Sequence, residues 1–367
     1  MKKIAVNGFG RIGRGFVRAM YSEHVRGAHG STGIEVVAIN DLSSPESLAY
    51  LLKYDSVYGR FPSEVSTKEG AIVIDGKEIK LFAEKDPAQI PWKSVGVDIV
   101  IESTGFFTEA EKAQAHITAG AKRVVITAPG KGDPSAGSTH STSSVQTSSP
   151  QAGSGQAVVE TILIGANEDR FATCGAITSN ASCTTNAASP LIGILDEAIG
   201  IERAILNTTH AYTASQALVD GGKSKDMRES RAAAINMVPT STGAAKATAL
   251  AYPQLKNKFD GISVRVPVPS GSLVDVTFVS KRATTLEEIN NALKKAANSD
   301  RWKRVFAVTE EPLVSSDILG LPYGAIADLS MTRVVDGTLV KVLAWYDNEM
   351  GYCYTLVEHV AAVAARL

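Results

Sequence analysis

Short apolar runs alternate with helical periods through the first part of the chain. Lys3 to Val6 is a run of strand length, followed by a helical pattern that reaches Arg18 to Tyr21. Ile34 to Asn40 is a second strand, with a helical stretch after it from Leu42 to Leu52. Ala71 to Ile74, Val97 to Ser103 and Arg123 to Ala128 repeat the β pattern, with a helix predicted over Glu109 to Ala119. Unbroken apolar strands flanked by helical segments predict a parallel sheet covered on both faces. Val158 to Ile164 resumes the strand pattern. An alanine-rich helix is predicted over Ala187 to Ile199, and Ala204 to Thr208 and Gly261 to Pro267 are strands. Val274 to Ser280, Ala327 to Val335 and Val340 to Tyr346 complete a second, largely antiparallel sheet, with Glu287 to Ala297 helical between them. Asp220 to Glu229 has no period and is a long loop; an amphipathic helix closes the chain and reaches Ala365. The fold class is α/β, in two units.

Composition changes this picture at one place. Ser135 to Gln156 has 22 residues, eleven of them Ser or Thr, and no Asp, Glu, Lys or Arg. It cannot bury enough apolar surface to offset its ordering entropy, so it is expected to be a flexible surface insertion. The 367 residues are 44% hydrophobic with a formal net charge of -1. That charge supplies no field for nucleic acid or an anionic membrane. Cys174, Cys183 and Cys353 form neither a disulfide framework nor a CxxC metal pattern. No apolar run has transmembrane length, and Met1 to Val6 leads straight into a strand without a signal peptide, so a reducing cytoplasm is expected.

The candidate chemistry falls where the strands end. Gly8-Phe9-Gly10-Arg11-Ile12-Gly13 lies between the first strand and its helix. There Gly8 permits a tight turn, Gly10 lets a pyrophosphate approach the backbone, and Gly13 lets helix and strand pack closely. With a parallel sheet, this predicts a Rossmann-type nucleotide-binding unit. Asp41 ends the second strand, where a carboxylate accepts the ribose hydroxyls of NAD and repels the 2′-phosphate of NADP. Asp41 would equally serve as an N-cap for the helix after it. Thr104-Gly105 and Thr127-Ala128-Pro129 also end strands. Cys183 stands in Ser179-Asn180-Ala181-Ser182-Cys183-Thr184-Thr185-Asn186 before a helix. A helix N-terminus favours thiolate, the nucleophilic form; a small buried cysteine in a polar turn fits the same pattern. His210, in Thr209-His210-Ala211-Tyr212-Thr213, suits a base for that thiol or a hydrogen-bonded core residue. Thr242-Gly243 opens a helix and suits an anion or a plain cap. Arg265, in an apolar strand, requires a partner, either an anionic ligand or a structural carboxylate.

These motifs resemble the phosphorylating glyceraldehyde-3-phosphate dehydrogenase family nearly end to end, the insertion apart. Asn7-Gly8-Phe9-Gly10-Arg11-Ile12-Gly13-Arg14, Ser182 to Asn186, Thr209 to Thr213, Thr242 to Lys246 and Trp345-Tyr346-Asp347-Asn348-Glu349 carry the likeness. It implies a Rossmann-type NAD-binding domain over residues 1–182 and an α+β catalytic domain over 183–346. It further implies a C-terminal helix at 347–367 that returns to the first domain, and a homotetramer with the loop after Asp220 in its core. It implies that Cys183 adds to the aldehyde of glyceraldehyde 3-phosphate, with His210 activating the thiol. Hydride loss to NAD gives a thioester, which inorganic phosphate opens to an acyl phosphate, 1,3-bisphosphoglycerate. Ser182, Thr184, Thr213, Arg231, Thr242, Gly243 and Arg265 resemble the two anion sites. Arg11, Ile12, Asp41, Lys85, Thr127 and Asn348, with the glycine turn, resemble the NAD contacts. The chain departs from many relatives in having Thr127 for serine, Ala187 for a second cysteine, Gly222 for proline and Glu229 for an extra arginine. Related readings keep the fold but change the chemistry: erythrose 4-phosphate as substrate, NADP as cofactor, acyl transfer without redox, or a binding role for the insertion.

Overall fold

The computed structural model describes residues 1–28, 33–130, 158–222 and 226–367. The predicted insertion at 135–156 lies outside the described residues.

A nine-stranded sheet runs in the order Glu160–Thr161, Ile177–Ser179, Arg123–Ile126, Ile99–Glu102, Lys2–Asn7, Ile34–Asn40, Lys77–Phe82, Ala71–Ile74, Val65–Lys68. The first seven strands pair in parallel. The last three form an antiparallel meander, which corrects the expectation of a wholly parallel sheet at Ala71–Ile74. The cause is the connections: Gly70 and Gly76 turn the chain in left-handed conformations with φ of 68° and 78°, so each strand folds back on its neighbour. The run Val158 to Ile164 pairs only at Glu160–Thr161. The helix after the second strand is Pro45–Lys53, capped by Ser44, so Asp41 is not its N-cap.

The second sheet has seven strands in the order Val238–Ser241, Phe259–Val266, Ile201–Ala211, Ser272–Ser280, Leu339–Tyr346, Ala325–Val335, Phe306–Thr309. Four of its six pairings are antiparallel, as the alternating patterns predict. Helix Cys183–Ala198 packs on it, with Leu191, Ile192 and Leu195 in the same core as Val274, Val276 and Val342. Helix Met350–Ala364 then crosses back to the first unit. A Cβ on Gly15 of helix Arg11–Met20 would lie 2.7 Å from Cys353 Sγ, which shows how closely those two helices pack. His359 of the same helix lies 2.8 Å from Thr178 Oγ1 in the first sheet, and burial depresses its pKa to about 3.

Candidate active site

Cys183 is the first residue of its helix, four residues earlier than the alanine pattern suggests. The cap explains the shift: Ser182 Oγ accepts from Thr185 N at 3.1 Å, extending the helix back to the thiol. Ala181 just before it has φ +54°, a left-handed conformation costly for a side-chain-bearing residue. Ser179 Oγ accepts from Ala181 N at 2.9 Å, and Tyr352 Oη donates to Ala181 O at 3.1 Å, holding the turn. Strain held by its surroundings in this way sets the direction in which the half-buried Cys183 points.

His210 Nε2 lies 3.4 Å from Cys183 Sγ. Register explains its company: His210 pairs across parallel strands with Arg265, so the two side chains share one face. Arg265 Nη1 lies 2.6 Å from His210 Nδ1, and Ala211 O lies 2.7 Å from the same nitrogen. The first contact requires Nδ1 to accept and the second requires it to donate, so one tautomer satisfies only one of them. Burial and the Arg265 charge depress the His210 pKa to about 3. Burial pushes the Cys183 thiol up, while Arg265 and hydrogen bonds from Thr184 pull it down. Burial thus opposes a lone charge on either group. A proton passing from Sγ to Nε2 charges both together, and their mutual attraction offsets much of that cost.

Tyr346 is a member of this cluster that pattern reasoning did not single out. Its hydroxyl lies 2.9 Å from Thr184 Oγ1 and 2.7 Å from Thr208 Oγ1, and its ring meets His210 edge-on at 5.8 Å. The only available signal was its place beside Asp347-Asn348 in the quoted motif. Ser182, Thr184 and Arg265 thus touch or adjoin Cys183 and His210. Thr213 follows the His210 strand and bonds Ser215 Oγ at 3.0 Å. Thr242 Oγ1 accepts from Ala244 N at 3.2 Å, and Gly243 caps helix Ala244–Ala251 without a side-chain bond. Arg231 instead pairs with Asp220 at 2.8 Å on the exposed loop.

The glycine turn fits a dinucleotide. Helix Arg11–Met20 begins at Gly10 without a side-chain cap, so its first N–H groups are available to an anion. The Arg11 side chain is committed to Asp55 and Glu349, which raise its pKa, so only its backbone could meet an anion at this turn. Asp41 Oδ2 accepts from Phe9 N at 2.8 Å, which draws the carboxylate to the turn. Thr127 ends its strand with Oγ1 donating to Glu102 O at 3.2 Å. Lys85 is exposed beside Glu84, whose backbone is pinned to Asn40 by bonds of 2.9 Å. Asn348 Oδ1 accepts from Gly271 N and Ser272 Oγ at 3.1 and 2.8 Å, which fixes its amide NH2 as the free end.

Two glycines separate packing from binding. A Cβ on Gly13 would lie 2.3 Å from Gly8 O, whereas one on Gly10 meets nothing within 4 Å. Gly13→Ala should therefore lose roughly 1–3 kcal/mol in chemical denaturation. Gly10→Ala should keep wild-type stability; weaker NAD in calorimetry is then the expected mark of a phosphate approaching that open face.

Comparison with known proteins settles the lineage. Residues 2–110 match the glyceraldehyde 3-phosphate dehydrogenase NAD binding domain, and residues 182–348 match the C-terminal domain of the same family. This chain belongs to the glyceraldehyde-3-phosphate dehydrogenase family. A glyceraldehyde-3-phosphate dehydrogenase of Zymomonas mobilis is 46% identical over 365 residues, spanning 100% of this chain and 99% of that one. One from Clostridium pasteurianum is 44% identical, spanning 99% and 100%. One from Thermotoga maritima is 46% identical, spanning 98% of each. The family's NAD-binding domain is the unit that carries the Gly8–Gly13 turn, and its C-terminal match begins at Ser182, beside the thiol.

Proposed function

We propose that the protein oxidises glyceraldehyde 3-phosphate to 1,3-bisphosphoglycerate with NAD and inorganic phosphate, reversibly, in glycolysis and gluconeogenesis. The observation that carries this is the Cys183–His210 pair at 3.4 Å beside Arg265, in a chain of this family whose glycine turn accepts a dinucleotide. Cys183 passes its proton to His210 Nε2 and adds to the aldehyde carbon; His210 returns that proton to the former carbonyl oxygen, giving a hemithioacetal and leaving Nε2 free again. His210 then takes the hemithioacetal hydroxyl proton as the hydride leaves, and a thioester remains on Sγ. NAD, when bound, supplies the hydride acceptor, and Asn348 presents its amide NH2 to the carboxamide. Phosphate attacks the thioester carbon, the acyl phosphate departs, and the electron pair returns to Cys183 sulfur.

Anion binding completes the site. An anion that draws Arg265 away leaves Nδ1–H on Ala211 O and frees Nε2 to accept the thiol proton. Ser182, Thr184, Thr213, Thr242, Gly243 and Arg265 then serve the two phosphates, with the helix beginning at Ala244 adding N–H donors. Arg231 joins them by leaving Asp220; with the two side chains 63% and 59% exposed, that pair resists little. Gly8, Gly10, Arg11, Ile12, Gly13, Asp41, Lys85, Thr127 and Asn348 hold the cofactor.

We place the domain division at Ser182–Cys183, with residues from 347 packing back on the first domain, and the protein in the cytoplasm. Leu218, Met227, Ile235 and Met237 are 75–88% exposed on one loop, which supports burial between subunits of a homotetramer. The test is NADH formation from glyceraldehyde 3-phosphate with and without inorganic phosphate. Turnover is expected to require phosphate and to prefer NAD to NADP and this aldehyde to erythrose 4-phosphate. Equal turnover without phosphate would overturn the acyl-phosphate product.

A further inference from the structure

Beneath the glycine turn lies a buried polar ladder that the chemistry above does not use. It crosses the C-terminal ends of neighbouring strands, where Asn7 is in register with both Asn40 and Glu102. Trp92 Nε1–H donates to His116 Nδ1 at 3.1 Å. An indole is a donor only, so Nδ1 accepts and the neutral ring carries its proton on Nε2. That nitrogen faces Glu102 Oε2 at 3.0 Å. Asn7 Nδ2 donates to the same oxygen at 2.6 Å, so Asn7 Oδ1 is left to accept from Asn40 Nδ2 at 2.8 Å. The indole thus sets the His116 tautomer, and Glu84 N–H, donating to Asn40 Oδ1, independently sets the Asn40 amide.

Glu102 is its centre. Its other oxygen accepts from Thr104 N at 2.8 Å and from Thr104 Oγ1. The carboxyl group thus gathers contacts on both oxygens, Thr104 on one and His116 with Asn7 on the other. A carboxyl group 1% exposed is costly to bury, and its full set of hydrogen bonds makes it a rigid anchor for what it touches. Its position indicates that role. Thr104 lies against the dinucleotide turn: a Cβ on Gly8 would lie 2.8 Å from Thr104 N. Ser103 Oγ donates to Gly8 O at 2.6 Å, and Thr104 Oγ1 accepts from Phe106 N at 3.1 Å.

We propose that Glu102 is a positioning residue for the cofactor: through Thr104 and Asn7 it clamps the 103–106 turn and the Gly8 turn into one preformed floor. It acts without touching the cofactor, and this inference rests on the NAD reading of the crevice. The test is NAD binding by calorimetry for wild type, Glu102→Gln, Thr104→Val and the double variant. A glutamine amide must point two donors at one of the donor pairs, and a valine removes one donor from the clamp. Each single change is expected to weaken NAD roughly ten-fold. The double variant should lose little more than Glu102→Gln, because both act through one contact. Thr104→Ser should restore wild-type affinity. The rate of Cys183 alkylation without NAD should stay at the wild-type value, which a general loosening of the fold would not allow. If wild type binds NAD and both single variants bind it equally well, the proposal is overturned, and Thr104→Val alone decides should Glu102→Gln not fold. If wild type itself fails to bind NAD, it is the reading of the crevice that falls.

Discussion

Cys183→Ser is expected to abolish phosphate-dependent NADH formation, by on the order of 10⁴-fold or more in kcat/KM, the scale seen when a covalent nucleophile is removed. The hydroxyl is close in size to the thiol at this half-buried helix start, so stability should stay within about 1 kcal/mol. NAD affinity should be unchanged, because the glycine turn lies on the other sheet. What the substitution removes is a proton that can leave. Thr184 N–H, Arg265 and the helix N-terminus all stabilise an anion at Sγ, but serine gives up its proton far less readily than cysteine. Mass spectrometry after brief exposure to the aldehyde and NAD without phosphate should show an acyl adduct on wild type and none on the variant. Comparable turnover in both proteins would remove the thioester from the mechanism.

The parts of this site differ in how far they were legible. The apolar run Ile34–Asn40 was visible to the residue, because nothing competes with a strand in so short a stretch. The direction of Ala71–Ile74 was not, since an apolar run of four reads the same in a parallel or an antiparallel sheet. Cys183 stood out through its helix and its hydroxyl-rich company. The partnership of His210 with Arg265 is a matter of register between strands 55 residues apart, which no local pattern encodes. The same holds for Glu102, His116 and Trp92. Nothing in their spacing announces a ladder, and each alone is an ordinary core or strand-end residue. Asp41 shows the intermediate case: its sequence position allowed either a cap or a cofactor contact, and the cap by Ser44 leaves the carboxylate to the glycine turn. Arg231 marks the opposite limit, since its type suggests phosphate while its surroundings hold it on Asp220.

His210→Asn carries the second large effect and separates two duties of one imidazole. Asparagine matches Nδ1 but not Nε2, so it keeps a polar group toward Ala211 O and loses the acceptor for the thiol proton, and kcat should fall about 10²–10⁴-fold, the range for losing a general base. The pH dependence supplies the sharper test. On the proposed mechanism the proton leaving Cys183 goes to His210 Nε2, 3.4 Å away, and the two would then titrate as a pair. In the variant the thiol ionises alone, against the burial that pushes its pKa up. The midpoint of Cys183 alkylation against pH should therefore move to higher pH in the variant, while the limiting rate of the thiolate at alkaline pH stays similar. Because His210 alone titrates near 3, protonation of the free ring cannot mimic this shift in the neutral range. Added sulfate gives a further handle on the same proton. Drawing Arg265 off Nδ1 also removes a cation that lowers the thiol pKa, so sulfate should raise the variant's midpoint, while the wild type, which gains an accepting Nε2 at the same time, should rise less or fall. A midpoint identical in the two proteins would mean that His210 does not receive the thiol proton, and the Cys183 activation would then rest on the helix N-terminus and Arg265 alone.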